Sequence, residues 1–535
     1  MNIAAPAVRN AITTTMLYLM LVGFGLFSLS RLRLDMYPDV SFPTVIILTE
    51  YTGASPEDIE TLVTRPIEGA ASSVKNVKEV HSTSKQGTSL VEVRFEWGKD
   101  MEQAETDVRR KLEMIESILP EDAEKSMIFA FDPALMPIVV LTVTGPYPLD
   151  ELRRIAKRDI EPKLVRLPGV ASAEIDGGLE REIRVELDPV KVAAFGLDVN
   201  QIVATVYREN LQVPGGSIQQ GALDFSIQAK GKYQRVSEIG EVVIGSKTSP
   251  AGLVPIRLKE VSKVLDTFYE SQRILEVDGA PSVFVIVNKQ SGANTVLASR
   301  AVLEALPEIK RTAAADIDFK LVFNQADFIN AALGNLSTTA LLGVAITFLV
   351  LLVFLRHIRS SLIVAASIPV SVIATFAVMD QAHMTLNMLT MAGLALAIGM
   401  LVDNAIVVLE NIFRLREEGK DPWTAAIEGT HSVWIAVSGS TLTTIVVFVP
   451  VLFVPGIAGV MFKDMSITIC FSLALSLLVA LTLIPTAASR LLGAKGGDKE
   501  IVHADTRGRA YQWYDRALRW VLRRRWVVAV ALASM

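Results

Sequence analysis

One carboxylate, Asp403, stands in the most apolar stretch of a 535-residue chain, within Gly399-Met400-Leu401-Val402-Asp403-Asn404-Ala405-Ile406-Val407-Val408-Leu409-Glu410-Asn411. An ionisable side chain at such a depth in a membrane helix costs at least ~2.5–3.5 kcal/mol, and it persists where it meets a partner or a water-filled path. Proton relays are the commonest reason. Desolvation favours a protonated carboxyl and a nearby cation favours the ionised one, so a carboxylate moved between the two is a proton carrier. The blander role is a hydrogen bond that locks a helix bundle. Asn404 cannot titrate and is expected to pack or to orient Asp403. Glu410, two turns on, reads as an interfacial, solvated carboxylate. Met384, Met388, Met391 and Met400 have the softness of a metal relay, but methionine is also ordinary filler in apolar helices.

Other chemistries lack their residues. The single Cys470 excludes an intrachain disulfide framework and a multi-cysteine metal site, and the five histidines form no HExxH pair. No nucleophile–base constellation, P-loop or dinucleotide fingerprint supports an enzyme, and no cofactor or metal is expected. With a net charge of −5 and no basic aromatic-rich module, nucleic acid is not an expected partner.

A carboxylate of this kind needs helices around it. The chain is 51% hydrophobic with a mean hydropathy of +0.40, too apolar for an ordinary soluble protein. It is also 20% charged, so much of it faces water. Apolar runs near the spanning length of about 20 residues occupy residues 12–29, 333–355, 362–379, 388–409, 433–454 and 467–488. A seventh starts at Trp526 and stops at Met535, the pattern of a front half of a longer protein. The first run lacks a small-residue cleavage site and continues into Arg31-Leu32-Arg33, so it reads as a retained anchor. Arg356, Arg359, Arg414, Arg416, Lys420, Arg490, Lys495, Lys499, Arg507, Arg509 and residues 523–525 put the basic loops after the even-numbered spans. These loops are thus cytoplasmic and the large domain outside, in an inner membrane facing a periplasm if the cell has two membranes.

Between the first two spans lie roughly 300 residues without a spanning run, a folded extramembrane region. Residues 44–52 read as a strand, 55–73 as a helix capped by Ser55 with Pro56 at its first position, 77–84 and 89–97 as strands, and 101–118 as a helix. That order approaches a split βαβ (ferredoxin-like) unit. It restarts after Pro137 with strand 138–144, helix 149–167 and strands 170–176 and 182–187. An insertion at 188–268 interrupts it; within this lie helix 199–210, a Pro214-Gly215-Gly216 bend and a hairpin ending near Ala229. Strands 270–277 and 283–289 and helix 294–306 complete the second unit. The expected class is an α-helical membrane bundle with an α+β outer domain of two such units and an insertion.

In the fourth span, Gly393 with Ala397 and Ala395 with Gly399 form small-xxx-small pairs that let helix backbones approach closely. No Lys or Arg lies inside any complete span to face Asp403. Its cation is therefore expected beyond Met535 or in another chain.

The 399–411 segment resembles the fourth-helix signature of resistance–nodulation–division (RND) efflux permeases. Tyr37-Pro38-Asp39-Val40, Tyr51-Thr52-Gly53-Ala54, residues 61–67, Leu386-Asn387-Met388-Leu389-Thr390-Met391 and residues 462–475 are similar as well. The likeness runs through the whole chain in order and matches the N-terminal half of such proteins. It implies a proton antiporter driven by the proton motive force, an exporter of amphiphilic or hydrophobic small molecules rather than an enzyme. It further implies a homotrimer working with a periplasmic adaptor and an outer-membrane channel. By position, residues 1–32 carry the N-terminus and first span, 33–136 the first porter subdomain, and 137–178 with 271–330 the second. Residues 179–270 are the docking subdomain, 331–492 the second to sixth spans, and 493–535 a cytoplasmic linker and the seventh span's start. Asp403 takes the proton-binding role with Asn404 supporting it, where multidrug members commonly carry two aspartates. Met136 and Asp176 fall where well-known members line the drug pocket with phenylalanine. Heavy-metal members also carry a single aspartate, which keeps metal efflux as an alternative, beside a receptor or secretion protein of the same superfamily.

Overall fold

Where apolar and polar residues alternate the chain forms sheets, and where apolar residues run unbroken it forms long helices. The computed structural model describes residues 3–38, 42–131, 136–220, 223–249, 252–270, 275–314, 316–355, 357–491, 509–524 and 526. Two compact units result: Met1–Met136 with Asn294–Val296 and Ala326–Met535, and Pro137–Ala293 with Leu297–Gln325. Arg356, Lys495, Lys499, Arg507, Arg525 and the seventh apolar run after Trp526 lie outside the described residues.

The first unit opens with helix α1 (Ala4–Arg9), which turns at Asn10 into the apolar α2 (Ala11–Arg31). An antiparallel sheet follows, of β1 (Thr44–Glu50), β2 (Val77–Lys85), β3 (Thr88–Phe95) and β4 (Met127–Ala130) in the order β2-β3-β1-β4. Val45, Ile47, Val91, Val93 and Phe95 alternate onto its buried face. The helix against that face runs through α3 (Pro56–Asp58), a wider π turn at Ile59–Thr64, and α4 (Arg65–Ser72). Pro66 has no N–H to give to the preceding turn, and the helix widens just before it. Helix α5 (Met101–Glu113) completes the layer with Ala104, Val108 and Leu112 at four-residue spacing. The short β4, with no alternation to mark it, was not anticipated from the sequence.

The second unit repeats this plan. β5 (Pro137–Thr144) leads into α6 (Leu149–Ile155), a π turn at Ala156–Ile160 and α7 (Glu161–Leu164), with Pro162 again just beyond the widened turn. β6 (Val170–Gly177) follows, and then the chain leaves on β7 (Arg181–Leu187). The insertion holds α8 (Pro189–Phe195), α9 (Val199–Glu209), the hairpin β8 (Gln212–Gln220) with β9 (Leu223–Lys230), and α10 (Val236–Gly240). Next come the pair β10 (Val243–Ser249) with β11 (Gly252–Arg257), α11 (Leu258–Val261) and β12 (Ser262–Phe268). The Pro214–Ser217 bend appears as a register irregularity within β8. After a short hairpin, β13 (Glu276–Val277) with β14 (Ala280–Pro281), the chain re-enters through β15 (Val283–Lys289), α12 (Thr295–Thr312) and β16 (Asp318–Asn324). The four-stranded sheet has the order β16-β5-β15-β6.

Two expectations are corrected here. Alternation at 182–187 suits a strand of the second sheet, but β7 pairs with β12, from Arg181 opposite Phe268 to Leu187 opposite Ser262. Of the strand expected at 270–277, residues 271–274 lie outside the described residues, and Glu276–Val277 pairs with Ala280–Pro281 rather than with the four-stranded sheet. The alternation of a strand identifies the strand and not its partner, which for β7 is distant in sequence.

The first unit continues as α13 (Gln325–Leu355), α14 (Ile358–Gln381), α15 (Met388–Glu417), α16 (Pro422–Phe448) extended by a 3₁₀ turn at Val449–Phe453, and α17 (Ile457–Leu491). With α2 these are six helices long and apolar enough to cross a membrane. α17 packs against α14, α15 and α16, and α14 against α2. A further helix, α18 (Arg509–Arg523), is rich in arginine and aromatic residues.

Candidate functional site

Helix α15 carries the candidate residues, and its start is built to be buried. Asn387 Oδ1 accepts from the backbone N–H groups of Leu389 and Thr390, both at 3.0 Å. Thr390 Oγ1 accepts from Asn387 N at 2.8 Å. Both side chains are fully buried, so this reciprocal cap satisfies donors that water cannot reach. Just before it, Leu34 and Asp35 lie alongside Leu386, and Thr295 Oγ1 donates to buried Asp35 Oδ1 at 2.9 Å. The far end finishes with Arg414 and Arg416 in the last turn and Gly419 at φ +94°, a left-handed position that suits glycine.

Along α15 the buried face and the open face separate cleanly. Gly393 sits against α17, where an added Cβ would lie 2.9 Å from the Met465 carbonyl oxygen, and Ala397 is fully buried. Gly399, expected to share this packing, does not: nothing lies within 4 Å of its Cβ position. Two residues beyond Ala397, it has rotated through about 200° onto the other face. There Ala392, Leu396, Gly399, Asp403, Val407 and Glu410 form one exposed stripe at three- and four-residue spacing.

Asp403 and Asn404, about 100° apart on the helix, therefore meet different surroundings. Asn404 is buried, with its Oδ1 2.9 Å from Thr441 Oγ1 on α16; the same hydroxyl lies 2.9 Å from the Val437 carbonyl, so one proton serves the two acceptors. Among the described residues no hydrogen bond or ion pair reaches the Asp403 side chain, and the cation sought for it is not found among them. Glu410 shares the open stripe, nearer the basic end of the helix.

Sequence reading missed the polar contacts that hold this geometry. Ser476 Oγ on α17 donates to the Leu401 carbonyl at 2.8 Å. Thr375 Oγ1 on α14 donates to Ser472 Oγ at 3.2 Å, and Tyr18 OH lies 2.7 Å from Thr482 Oγ1. Asn411 Nδ2 donates to the Gly429 carbonyl at 2.6 Å and to Ser432 Oγ, while Arg414 Nη2 donates to Asn411 Oδ1 at 2.8 Å. The signal was present as Ser, Thr and Asn inside apolar helices, where such residues join neighbours. Three of the four methionines, Met384, Met388 and Met391, belong to one apolar cluster with Leu386 and Leu394.

Met136 is 44% exposed at the foot of β5, in the first unit. Asp176 lies in β6 of the second unit, half-buried, and its Oδ1 accepts from Gly177 N at 2.9 Å.

Over residues 3–535 the sequence matches the AcrB/AcrD/AcrF family. The "Multidrug resistance protein MdtC" of Yersinia enterocolitica is 28% identical over 546 residues, covering 100% of this chain and 52% of the relative. Proteins of the same name from Yersinia pseudotuberculosis and Yersinia pestis align with the same identity and coverage. The chain spans about half the length of the curated relatives it matches.

Proposed function

The chain belongs to the AcrB/AcrD/AcrF family, and from that membership we propose that it serves proton-coupled export of amphiphilic or hydrophobic small molecules across an inner membrane. The observation that carries the reading is the split between neighbours on α15. Asn404 is engaged with Thr441 inside the bundle, while Asp403 stands on an open stripe with no partner among the described residues. A carboxylate so placed can take a proton and release it as a cation approaches. We assign that cation to residues beyond this sequence or to another chain. Protonation of Asp403 would end the attraction, shift α15 relative to the cation-bearing helices and bias the outer domains between conformations. The driving force is the proton gradient, with no cofactor.

The rest of the reading follows the family. Both four-stranded sheets have the chain-relative order 4-1-3-2, and both units place a π turn before a mid-helix proline. These features support two split βαβ porter subdomains, with the β7–β12 insertion as a docking module. The outer domains would lie in the periplasm, in a homotrimer joined to an adaptor and an outer-membrane channel. Met136 and Asp176 would belong to the substrate path. The relatives' printed name supports drug-like cargo, and the apolar packing of Met384, Met388 and Met391 favours this over a metal relay.

The test is proton release coupled to substrate in proteoliposomes, followed with a pH-sensitive dye. Asp403→Asn that assembles normally should lose coupled transport, and full antiport in that variant would refute the assignment.

A further inference from the structure

Helix α5 ends against its own electrostatics. Asp100 caps its N-terminus, and Arg110 and Lys111 stand in its last turn, each charge at the end that favours it. Glu113 then closes the helix at the negative end of its dipole, and Glu116, Glu121 and Glu124 follow in the next segment. Glu116 has Lys125 at 3.7 Å. Among the described residues no hydrogen bond or ion pair reaches the side chains of Glu113, Glu121 or Glu124.

These carboxylates rim a cavity of about 450 Å³ between the end of α5 and the segment that leads into β4. Leu112, Leu119, Pro120, Ala123 and Ile128 line it with carbon, and all five are buried or half-buried while the four glutamates are exposed. The surface beneath the acidic rim is therefore apolar. Backbone hydrogen bonds hold the walls: Ile115 N donates to the Leu112 carbonyl at 3.0 Å, Ala123 N to the Pro120 carbonyl at 3.0 Å, and Glu124 N to the Glu50 carbonyl at 2.7 Å. Ser126 Oγ lies 2.7 Å from Thr49 Oγ1 on β1. The two cations that line the cavity are both engaged, Arg109 with Glu105 at 2.7 Å and Lys125 with Glu116.

We propose that this cavity binds an amphiphilic organic cation, with its apolar body on the surface from Leu112 to Ile128 and its charge among Glu113, Glu121 and Glu124. The volume lies within the range of small-molecule sites, about 300–1,000 Å³. An anion would meet three uncompensated carboxylates and the negative end of a helix. A hard metal ion takes oxygen ligands on several sides, and here the carboxylates stand on one side with carbon beneath them. An amphiphilic cation matches the floor and the rim together. The site includes none of Asp403, Met136 and Asp176, so it stands or falls apart from the transport reading.

The test uses the full chain with Cys470→Ser and Ser117→Cys, carrying a trifluoromethyl label on the thiol at position 117, beside the cavity. Tetraphenylphosphonium and tetraphenylborate are the probes, alike in size and shape and opposite in charge. The phosphonium should give a saturable change in the fluorine resonance, and the borate none at the same concentration. Glu113→Gln, Glu121→Gln and Glu124→Gln should each raise the phosphonium Kd about twofold, and about eightfold together, as expected for exposed charge interactions. Added salt should weaken binding to the parent chain more than to the triple variant. Ala123→Trp should fill the cavity and abolish the change. The glutamine variants remove no apolar packing, so they decide the matter even if that tryptophan disturbs the fold. Equal responses to the two ions, no response to either, or an unchanged Kd in the triple variant would each overturn the proposal.

Discussion

Gly393 and Gly399 lie on one helix and should respond to one added methyl group in opposite directions. At Gly393 the new Cβ would come 2.9 Å from the Met465 carbonyl oxygen and 3.1 Å from Met465 Cγ. The side-chain atom can rotate away, but the backbone oxygen cannot, so α15 and α17 must part and lose contact along their seam. Overpacking of this kind costs about 1–3 kcal/mol. Alanine is the better helix former by about 1 kcal/mol, which leaves a net loss of up to about 2 kcal/mol. At Gly399 nothing lies within 4 Å, so Gly399→Ala keeps only the helix gain of about 1 kcal/mol. The two variants should therefore differ by about 1–3 kcal/mol. Unfolding in mixed detergent and dodecyl sulfate micelles, followed by circular dichroism, measures the difference. A Gly393→Ala protein stabilised as much as Gly399→Ala would refute the close α15–α17 approach. Equal losses at both sites would mean that the open stripe is covered by chain outside the described residues.

Three further outcomes are expected. A double-mutant cycle of Thr441→Val with Asn404→Leu should give a coupling energy of about 0.6–1.7 kcal/mol, and zero coupling in the same unfolding assay would remove the α15–α16 hydrogen bond. Thr295→Val should destabilise the first unit by about 1–3 kcal/mol because buried Asp35 loses a donor, whereas Thr295→Ser should restore it; thermal unfolding that ranks the two alike would argue against that contact. The hydrogen-bonded Arg181 guanidinium holds the Asp266 carboxyl below the usual carboxylate range. A lowered folded-state value gives stability that is present above the unfolded-state range and lost as pH falls through the folded value. Protection of the β7–β12 amides against exchange, relative to their intrinsic rates at each pH, should thus fall in acid, and Asp266→Asn should flatten that dependence.

The six spans were legible because unbroken apolar length is a local property. Their ends were less so: α13 begins at Gln325 and α17 runs back to Ile457, since a helix continues past the bilayer while its backbone finds partners. Strand existence was legible from alternation, and pairing was not. β7 alternates as a strand of the second sheet would, but its ladder is with β12, and β4 offers four residues without alternation. The 3.6-residue period bears on the site as well. Gly399 matched the small-xxx-small spacing, yet spacing alone does not say which stripe meets a neighbour. Thr441 and Ser476 were invisible as partners because a hydroxyl in an apolar run carries no mark of the helix it will face.

The same geometry gives the Asp403-Asn404 pair its meaning. Adjacent helix residues diverge by about 100°, so two side chains at these positions cannot share one environment. The inner position meets a hydroxyl in a packed, buried seam. An amide can satisfy that hydroxyl without gaining or losing a proton, whereas an ionised carboxylate there would carry the desolvation cost of a charge with a single neutral donor. Asn404 is thus suited to a bundle that stays packed through a cycle. Asp403, one residue earlier, is turned out of that seam onto the open stripe, and Glu410 stands two turns away toward the basic end of the helix. Asn404 anchors α15 to α16, and the proposed proton exchange rests on Asp403 alone.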